Sequence, residues 1–236
     1  MTANRATTHS LLHRGWDALL DLLFPPHCVS CRRAGTWLCD ACIADAPAVP
    51  NPASLAPDGF LDGAYSVGAH RGPLRRAVHA LKYKGLRQIA PQLAELMAST
   101  WRSSGIAVDA IVAVPLSAAR LKSRGYCQAH LLARPLAERL GLPLLLGLER
   151  TRDTRSQVGL NPAQRWDNVW QAFGWRGDHL PATRVLLIDD VLTTGATLQA
   201  CAAALRDAGA SRVWSLTLTR AWSTDRGKLT YGDPIL

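Results

Sequence analysis

Long apolar runs are missing from this chain of 236 residues. No stretch approaches the ~18–20 uninterrupted apolar residues that a membrane span needs. The first apolar segment, residues 11–24, is broken by Arg14, Asp17 and Asp21 and lacks a small-residue cleavage site. It therefore reads as neither a signal peptide nor a transmembrane helix. Charged residues are few at 19% against 48% hydrophobic, which excludes disorder, a collagen repeat and a coiled coil. Six cysteines are too few for a disulfide scaffold, and four of them fall in two CxxC pairs, which suggests metal binding in a reducing cytoplasm. Acidic side chains are the scarce charge: 18 against 27 Lys and Arg give a formal net charge of +9. That balance favours anionic partners such as nucleotides, phosphorylated sugars, nucleic acid or an anionic membrane surface, without choosing among them. Internal repeats and low-complexity tracts are absent. A chain of this length hides roughly 70% of its unfolded surface, enough for one large domain or a medium domain with an appended module.

The chain divides at its prolines and its changes of period. Leu12, Trp16, Leu19, Leu20 and Leu23 recur at helical spacing, predicting an amphipathic helix within 1–24 that Pro25 and Pro26 stop. A cysteine module follows over 25–46. Residues 47–57, with Pro47, Pro50, Pro52 and Pro57, read as a stiff extended connector. From 58 to 222 strands and helices alternate, and 223–236 is a tail. Strands are expected over 61–69, 111–114, 144–146, 185–188 and 213–218. Helices are expected over 74–84, 89–101, 128–140 and 196–208. Apolar runs of about four residues separated by helices imply parallel strands covered on both faces.

Cys28-Val-Ser-Cys31, seven intervening residues and Cys39-Asp-Ala-Cys42 can bring four thiolates onto one ion. That set suits tetrahedral Zn²⁺ in a closed structural site with no open position for substrate. Two redox CxxC motifs are the alternative, but those open a helix in a thioredoxin-like unit that nothing nearby supplies. His27 reads as solvated. Cys127 and Cys201 read as packing residues.

The most informative string is Val185-Leu-Leu-Ile-Asp189-Asp190-Val-Leu-Thr193-Thr194-Gly195-Ala196-Thr197. An apolar strand delivers two carboxylates to its C-terminal end, where open α/β sheets bind ligands. The turn after it opens a helix whose free N–H groups and dipole attract an anion, with threonine hydroxyls as added donors. Carboxylates for sugar hydroxyls beside a cradle for phosphate suit a sugar phosphate. Threonine turns also merely cap helices, although capping leaves the paired acids unexplained.

A second basic segment follows Val114: Ser117, Arg120, Lys122, Arg124 and Gly125 lie within about ten residues of Pro115. Three cations at a strand end suit a diphosphate leaving group. A solvated basic helix face is the competing reading. Residues 150–165 are polar, basic and aperiodic, which fits either a mobile functional loop or an ordinary exposed one. Among eight tryptophans, Trp16, Trp101 and Trp214 lie on apolar patterns and read as core, and Trp37 lies inside the cysteine module. Trp166, Trp170, Trp175 and Trp222 fit surface contacts, and no basic-aromatic interleaving is dense enough to mark a single-strand channel.

The string over 185–197 resembles the phosphoribosyl pyrophosphate (PRPP) signature of type I phosphoribosyltransferases. Ala80-Leu-Lys-Tyr-Lys-Gly85, Val114-Pro-Leu-Ser117, Arg120-Leu-Lys-Ser-Arg-Gly125, Gln157-Val-Gly-Leu160 and Arg165-Trp-Asp-Asn168 lie in the matching order, with the tetracysteine module upstream. Over about residues 20–220 the arrangement is similar to the ComF family of competence-associated phosphoribosyltransferase-like proteins. One position departs from it: the family commonly carries Asn where this chain has Cys127 in Arg124-Gly-Tyr-Cys127-Gln128.

The resemblance implies a type I phosphoribosyltransferase-like α/β fold, a parallel sheet flanked by helices, with a small N-terminal zinc-ribbon module. It implies PRPP with Mg²⁺ as ligand, with Asp189 and Asp190 holding the ribose as the catalytic pair. Thr193, Thr194, Gly195, Ala196 and Thr197 would take the 5′-phosphate, and Ser117, Arg120, Arg124 and Gly125 the pyrophosphate. A non-proline cis peptide near Leu116–Ser117 and closure of the 150–165 loop over the ligand would fit the same likeness. Transfer of the phosphoribosyl group to an unknown acceptor, in the cytoplasm and with a role in DNA uptake or use, is the expected function. A non-catalytic ligand sensor or DNA-handling module is the alternative, with single-stranded DNA or a competence protein as partner.

Overall fold

A computed structural model describes residues 25–53, 59–151 and 172–221. The helix expected within 1–24, nearly all of the 150–165 loop, the 223–236 tail and Trp16, Trp166, Trp170 and Trp222 lie outside the described residues. Numbered in chain order, the elements are α1 (Asp40–Ala44), β1 (Gly63–Ala69), α2 (Gly72–Tyr83), α3 (Ala90–Arg102), β2 (Ala110–Ala113) and α4 (Ala118–Arg124). They continue with α5 (Gln128–Leu140), β3 (Leu144–Leu145), β4 (Leu148–Arg150), β5 (Phe173–Trp175), β6 (Arg184–Leu192), α6 (Ala196–Asp207) and β7 (Arg212–Arg220).

Five strands form one sheet in the order β1-β7-β6-β2-β3, and every neighbouring pair is parallel. All four residues of β2 are buried, as are Val185, Leu186, Leu187 and Ile188 of β6. Burial of successive residues, whose side chains leave opposite faces, requires cover on both faces. Helices α3 and α5 pack on one another and on the sheet, while α6 packs on β5, β6 and β7. The parallel sheet with flanking helices and an N-terminal tetracysteine cluster is the expected fold class.

Helix α5 matches the expected 128–140, ending on Gly141 in the left-handed region (φ 66°). Strand β6 runs further than expected. It continues through Asp189 and Asp190 to Leu192 because β7, also longer than its apolar stretch, supplies partners as far as Thr219 and Arg220. Four elements lie outside the expected helices and strands: α1, α4, β4 and β5. Helix α4 buries none of its residues, and β4 with β5 forms a separate antiparallel pair.

Residues 47–53 form no free connector. Ala53 N–H donates to the Ala64 carbonyl at 2.7 Å, and Ala69 N–H donates to the Pro47 carbonyl at 2.8 Å. The Asn51 side chain bonds both to the Ser66 N–H (3.0 Å) and to the Ser66 carbonyl (2.8 Å). An extended segment beside an edge strand satisfies backbone groups that would otherwise lack partners.

The cysteine module is packed onto the body. Leu38 has no exposed surface and joins the same apolar cluster as Leu81, Leu93 and Met97. Its backbone N–H donates to Gln92 Oε1 at 2.9 Å, and Gln92 Nε2 donates to its carbonyl at 2.5 Å. Arg76 of α2 donates to Ser30 Oγ, between the first two cysteines, at 2.8 Å.

Candidate functional site

The C-terminal ends of β6, β7 and β1 lie side by side, and three groups of polar residues meet there. On β6, Asp189 is half-buried and Asp190 is buried. The Asp190 N–H donates to Asp189 Oδ1 at 2.8 Å. Lys82, in the last turn of α2, places Nζ 2.9 Å from Asp190 Oδ1, with side chains 19% and 4% exposed. Asp190 Oδ2 is buried without a hydrogen-bond partner among the described residues. Burial and the adjacent Asp190 carboxylate push Asp189 up to about 7, against the opposing pull of Lys82 and Arg120.

His70 follows β1, and its Nδ1 lies 2.7 Å from Thr219 Oγ1. That hydroxyl donates to the Asp190 carbonyl at 3.4 Å, so it is free to accept from the ring. Burial first, then the charges of Lys82 and Arg75, hold the imidazole down at about 4, with Asp190 acting the other way. The ring is neutral at physiological pH. Neither His70 nor Lys82 stood out in the sequence, where a histidine after a strand and a lysine at a helix end have ordinary solvated roles.

The turn after β6 has the expected form. Gly195 sits at φ 79° and precedes α6, and Thr194 Oγ1 accepts from the Ala196 N–H at 3.4 Å. Thr193 is exposed, Thr194 and Thr197 are half-buried, and Gly195 and Ala196 are buried. A left-handed residue at this point favours glycine, which lacks a Cβ.

The basic segment after β2 is a short helix rather than a loop. Ser117 caps α4 by accepting from the Arg120 N–H at 3.4 Å, and Gly125 closes it at φ 77°. Arg120 faces solvent yet acts on Asp189, so the fold brings the basic segment up to the acid pair. Arg124 is engaged elsewhere: it donates to Gln128 Oε1 at 2.6 Å and lies 5.4 Å above the Tyr83 ring. The Leu116–Ser117 peptide is trans; the cis bond among the described residues is Asn51–Pro52. Cys127 donates its thiol to the Val114 carbonyl at 3.4 Å, tying the start of α5 to the end of β2. Burial pushes that thiol up.

In the cysteine module the four Sγ atoms of Cys28, Cys31, Cys39 and Cys42 lie within 4.8 Å of one another. Cys31 and Cys39 sulfurs are 3.5 Å apart. A tetrahedral ion about 2.3 Å from each thiolate sets sulfur–sulfur distances near 3.8 Å, so the cluster fits Zn²⁺. Burial pushes the Cys28 thiol up, but the backbone N–H groups of Cys31, Cys39 and Ser30 outweigh it and hold it at about 6. His27 is exposed and stands outside the cluster.

The chain is 33% identical over 204 residues to the DNA utilization protein YhgH of Salmonella typhi, covering 81% of this chain and 88% of that protein. The chain belongs to the ComF family. Competence protein F of Haemophilus influenzae is 38% identical over 116 residues, 48% of this chain and about half (51%) of that protein. Competence protein ComFC of Bacillus subtilis is 30% identical over 161 residues, covering 66% of this chain and 63% of that protein. No family model matches. A solved structure of the glutamine PRPP amidotransferase of Bacillus subtilis, complexed with ADP and GMP, is 25% identical at a TM-score of 0.38. It covers 55% of this chain and 26% of the amidotransferase, and a score that low says nothing of substrate. Among the described residues of this ComF chain, no helix is long and apolar enough to cross a membrane.

Proposed function

We propose that the chain binds Mg-PRPP at the end of β6 and transfers the phosphoribosyl group to an acceptor, in the service of DNA uptake or DNA use in the cytoplasm. The supporting observation is the acid pair at the strand end, joined to a glycine-bearing helix N-terminus on one side and overlooked by Arg120 on the other. Asp189 accepts from the ribose hydroxyls, with Asp190 buried behind it. The Thr193–Thr194–Gly195–Ala196–Thr197 turn receives the 5′-phosphate. Ser117, Arg120, Arg124 and Gly125 receive the pyrophosphate, with Arg120 already placed and Arg124 having to leave Gln128. Mg²⁺ carried in with the ligand would supply charge neutralisation at the diphosphate, beside Arg120 and Arg124. The chain's own part is positioning and charge stabilisation as a nucleophile attacks C1′ and the bond to pyrophosphate breaks.

The structural role assigned to the cysteine cluster is to hold one Zn²⁺, which would secure a segment too short to bury a core of its own. The test of the phosphoribosyl site is calorimetry with Mg-PRPP. Replacing both acids, Asp189→Asn with Asp190→Asn, removes the charge-assisted acceptor Asp189, worth ~1.5–3 kcal/mol, together with its buried neighbour, so affinity falls at least about tenfold. Unchanged affinity in the folded double variant refutes the assignment. Pyrophosphate release against a panel of bases and amines then identifies the acceptor.

A second reading, handling of single-stranded DNA, draws on one surface. Arg75, His79 and Tyr83 recur every four residues on the exposed face of α2, with exposed Arg71 just before it. Tyr83 is 68% exposed, its ring 4.9 Å from that of His79. Arg124 lies 5.4 Å above the Tyr83 ring, and Arg87 lies 4.3 Å above the Tyr126 ring. Cations beside an exposed aromatic ring form a stacking platform for unpaired bases.

A further inference from the structure

We propose that Lys82 is a positioning residue of the phosphoribosyl site: its ion pair anchors Asp190 beneath the surface and leaves Asp189 as the acid that meets the ligand. The inference rests on the phosphoribosyl reading of the site.

The two acids are not equivalent. Asp190 is almost completely buried, with Oδ1 held by Lys82 and Oδ2 shut away from solvent. Asp189 is half-buried, and its Oδ1 accepts from the Asp190 N–H. Carboxylates on successive residues repel one another, and a buried charge without a counter-charge is strongly disfavoured. Lys82 answers both problems from one position.

Its own placement is firm. It ends α2, where the Leu81 carbonyl accepts from the Tyr126 hydroxyl and the Tyr83 ring lies under Arg124. The charged and titratable groups facing the acid pair are Lys82 from α2, His70 beyond β1, Arg120 from α4, and the thiols of Cys127 and Cys201, both pushed up by burial. His70 is neutral, Arg120 is exposed, and Arg75 acts on His70. Lys82 is thus the cation in direct contact with the pair. Its charge also lowers the proton affinity of Asp189, so its loss moves Asp189 further upward.

The test measures Mg-PRPP affinity by calorimetry between about pH 6 and pH 9 in the wild type, Lys82→Met and Lys82→Arg. Lys82→Met is expected to bind about fivefold more weakly at pH 7, since a rise of one pKa unit from a midpoint of about 7 cuts the ionised fraction of Asp189 from about one half to about one eleventh. Its binding midpoint moves to higher pH, and the deficit shrinks as the medium becomes alkaline. Lys82→Arg keeps the cation and the wild-type midpoint. A Lys82→Met profile that superimposes on the wild type, or a loss equal at every pH, overturns the proposal. Carboxyl ¹³C titration of Asp189 in the ligand-free protein reads the same charge without PRPP: its midpoint rises in Lys82→Met and not in Lys82→Arg. Should the wild type fail to bind Mg-PRPP, the phosphoribosyl reading falls, and the carboxyl titration decides the role of Lys82 alone. An unmoved Asp189 midpoint then overturns it.

Discussion

Truncating Leu38 to alanine tests whether the cysteine module and the α/β body unfold as one unit. Leu38 lies inside the module, ten residues after Cys28 and one before Cys39, yet it has no exposed surface and shares its cluster with residues of α2 and α3. The substitution leaves both backbone bonds to Gln92 in place. It therefore removes apolar contact alone. Burying a leucine contributes about 1.5–3 kcal/mol, and the cavity left behind brings typical costs to ~2–5 kcal/mol. Taking about 3 kcal/mol, and about 2–4 °C per kcal/mol for a chain of this size, the melting midpoint falls by about 6–12 °C. The assay follows the zinc-loaded full chain on heating by tryptophan fluorescence and by zinc release to a chromophoric chelator. Both signals are expected to move down together, because the apolar cluster is continuous. Zinc release that shifts while the fluorescence transition stays at its wild-type temperature would refute the reasoning. It would restore a module insulated by its proline-rich neighbour.

Four further outcomes are expected. Elemental analysis of reductively purified protein should give about one zinc per chain, and Cys39→Ser with Cys42→Ser should abolish it while lowering the stability of the whole chain; no zinc in the wild type refutes the site. Ring ¹⁵N shifts should show His70 neutral down to about pH 4, since burial and Lys82 disfavour its cation; a midpoint near 6.5 would contradict the buried cluster. Gly195→Ala should cost about 1–2 kcal/mol, measured by denaturant unfolding, because Gly195 sits at φ 79°; a neutral effect would mean the turn relaxes. Single-strand binding should be independent of sequence and lose several decades of affinity between ~50 and ~200 mM salt if about 6–10 phosphates are contacted. Tyr83→Ala should weaken it further in a shift assay, and tight sequence-selective binding at high salt would contradict this.

Strands β2 and β6 and helix α5 were legible because a buried element writes its period into the sequence. The acid pair and glycine turn were legible because their chemistry is local. Helix α4 was read only as the competing solvated basic face, since a helix that buries nothing has no apolar stripe to decide it. Strands β4 and β5 have three residues each and lie far apart in sequence, so neither carries a pattern of its own. Lys82 was quoted only as part of a string. Its meaning depends on an ion pair across 108 positions of chain, which no local spacing encodes. The connector was read by composition as a spacer, but prolines also suit a segment that bonds through the Pro47 carbonyl, the Asn51 side chain and the Ala53 N–H and needs no donor at Pro50 or Pro52.

That last property has a further effect on how the molecule behaves at high concentration. β1 is the outermost strand on its side of the sheet, and an uncovered strand of seven residues offers a template on which another chain can grow. The strip containing Pro47, Asn51 and Ala53 occupies that border, while Pro50 and Pro52, having no N–H, offer little for a newcomer to bond. The opposite border, β3, is only two residues long. Both margins of the sheet are thus poor nuclei for intermolecular β growth, and the prolines that look like a hinge serve as a guard against aggregation.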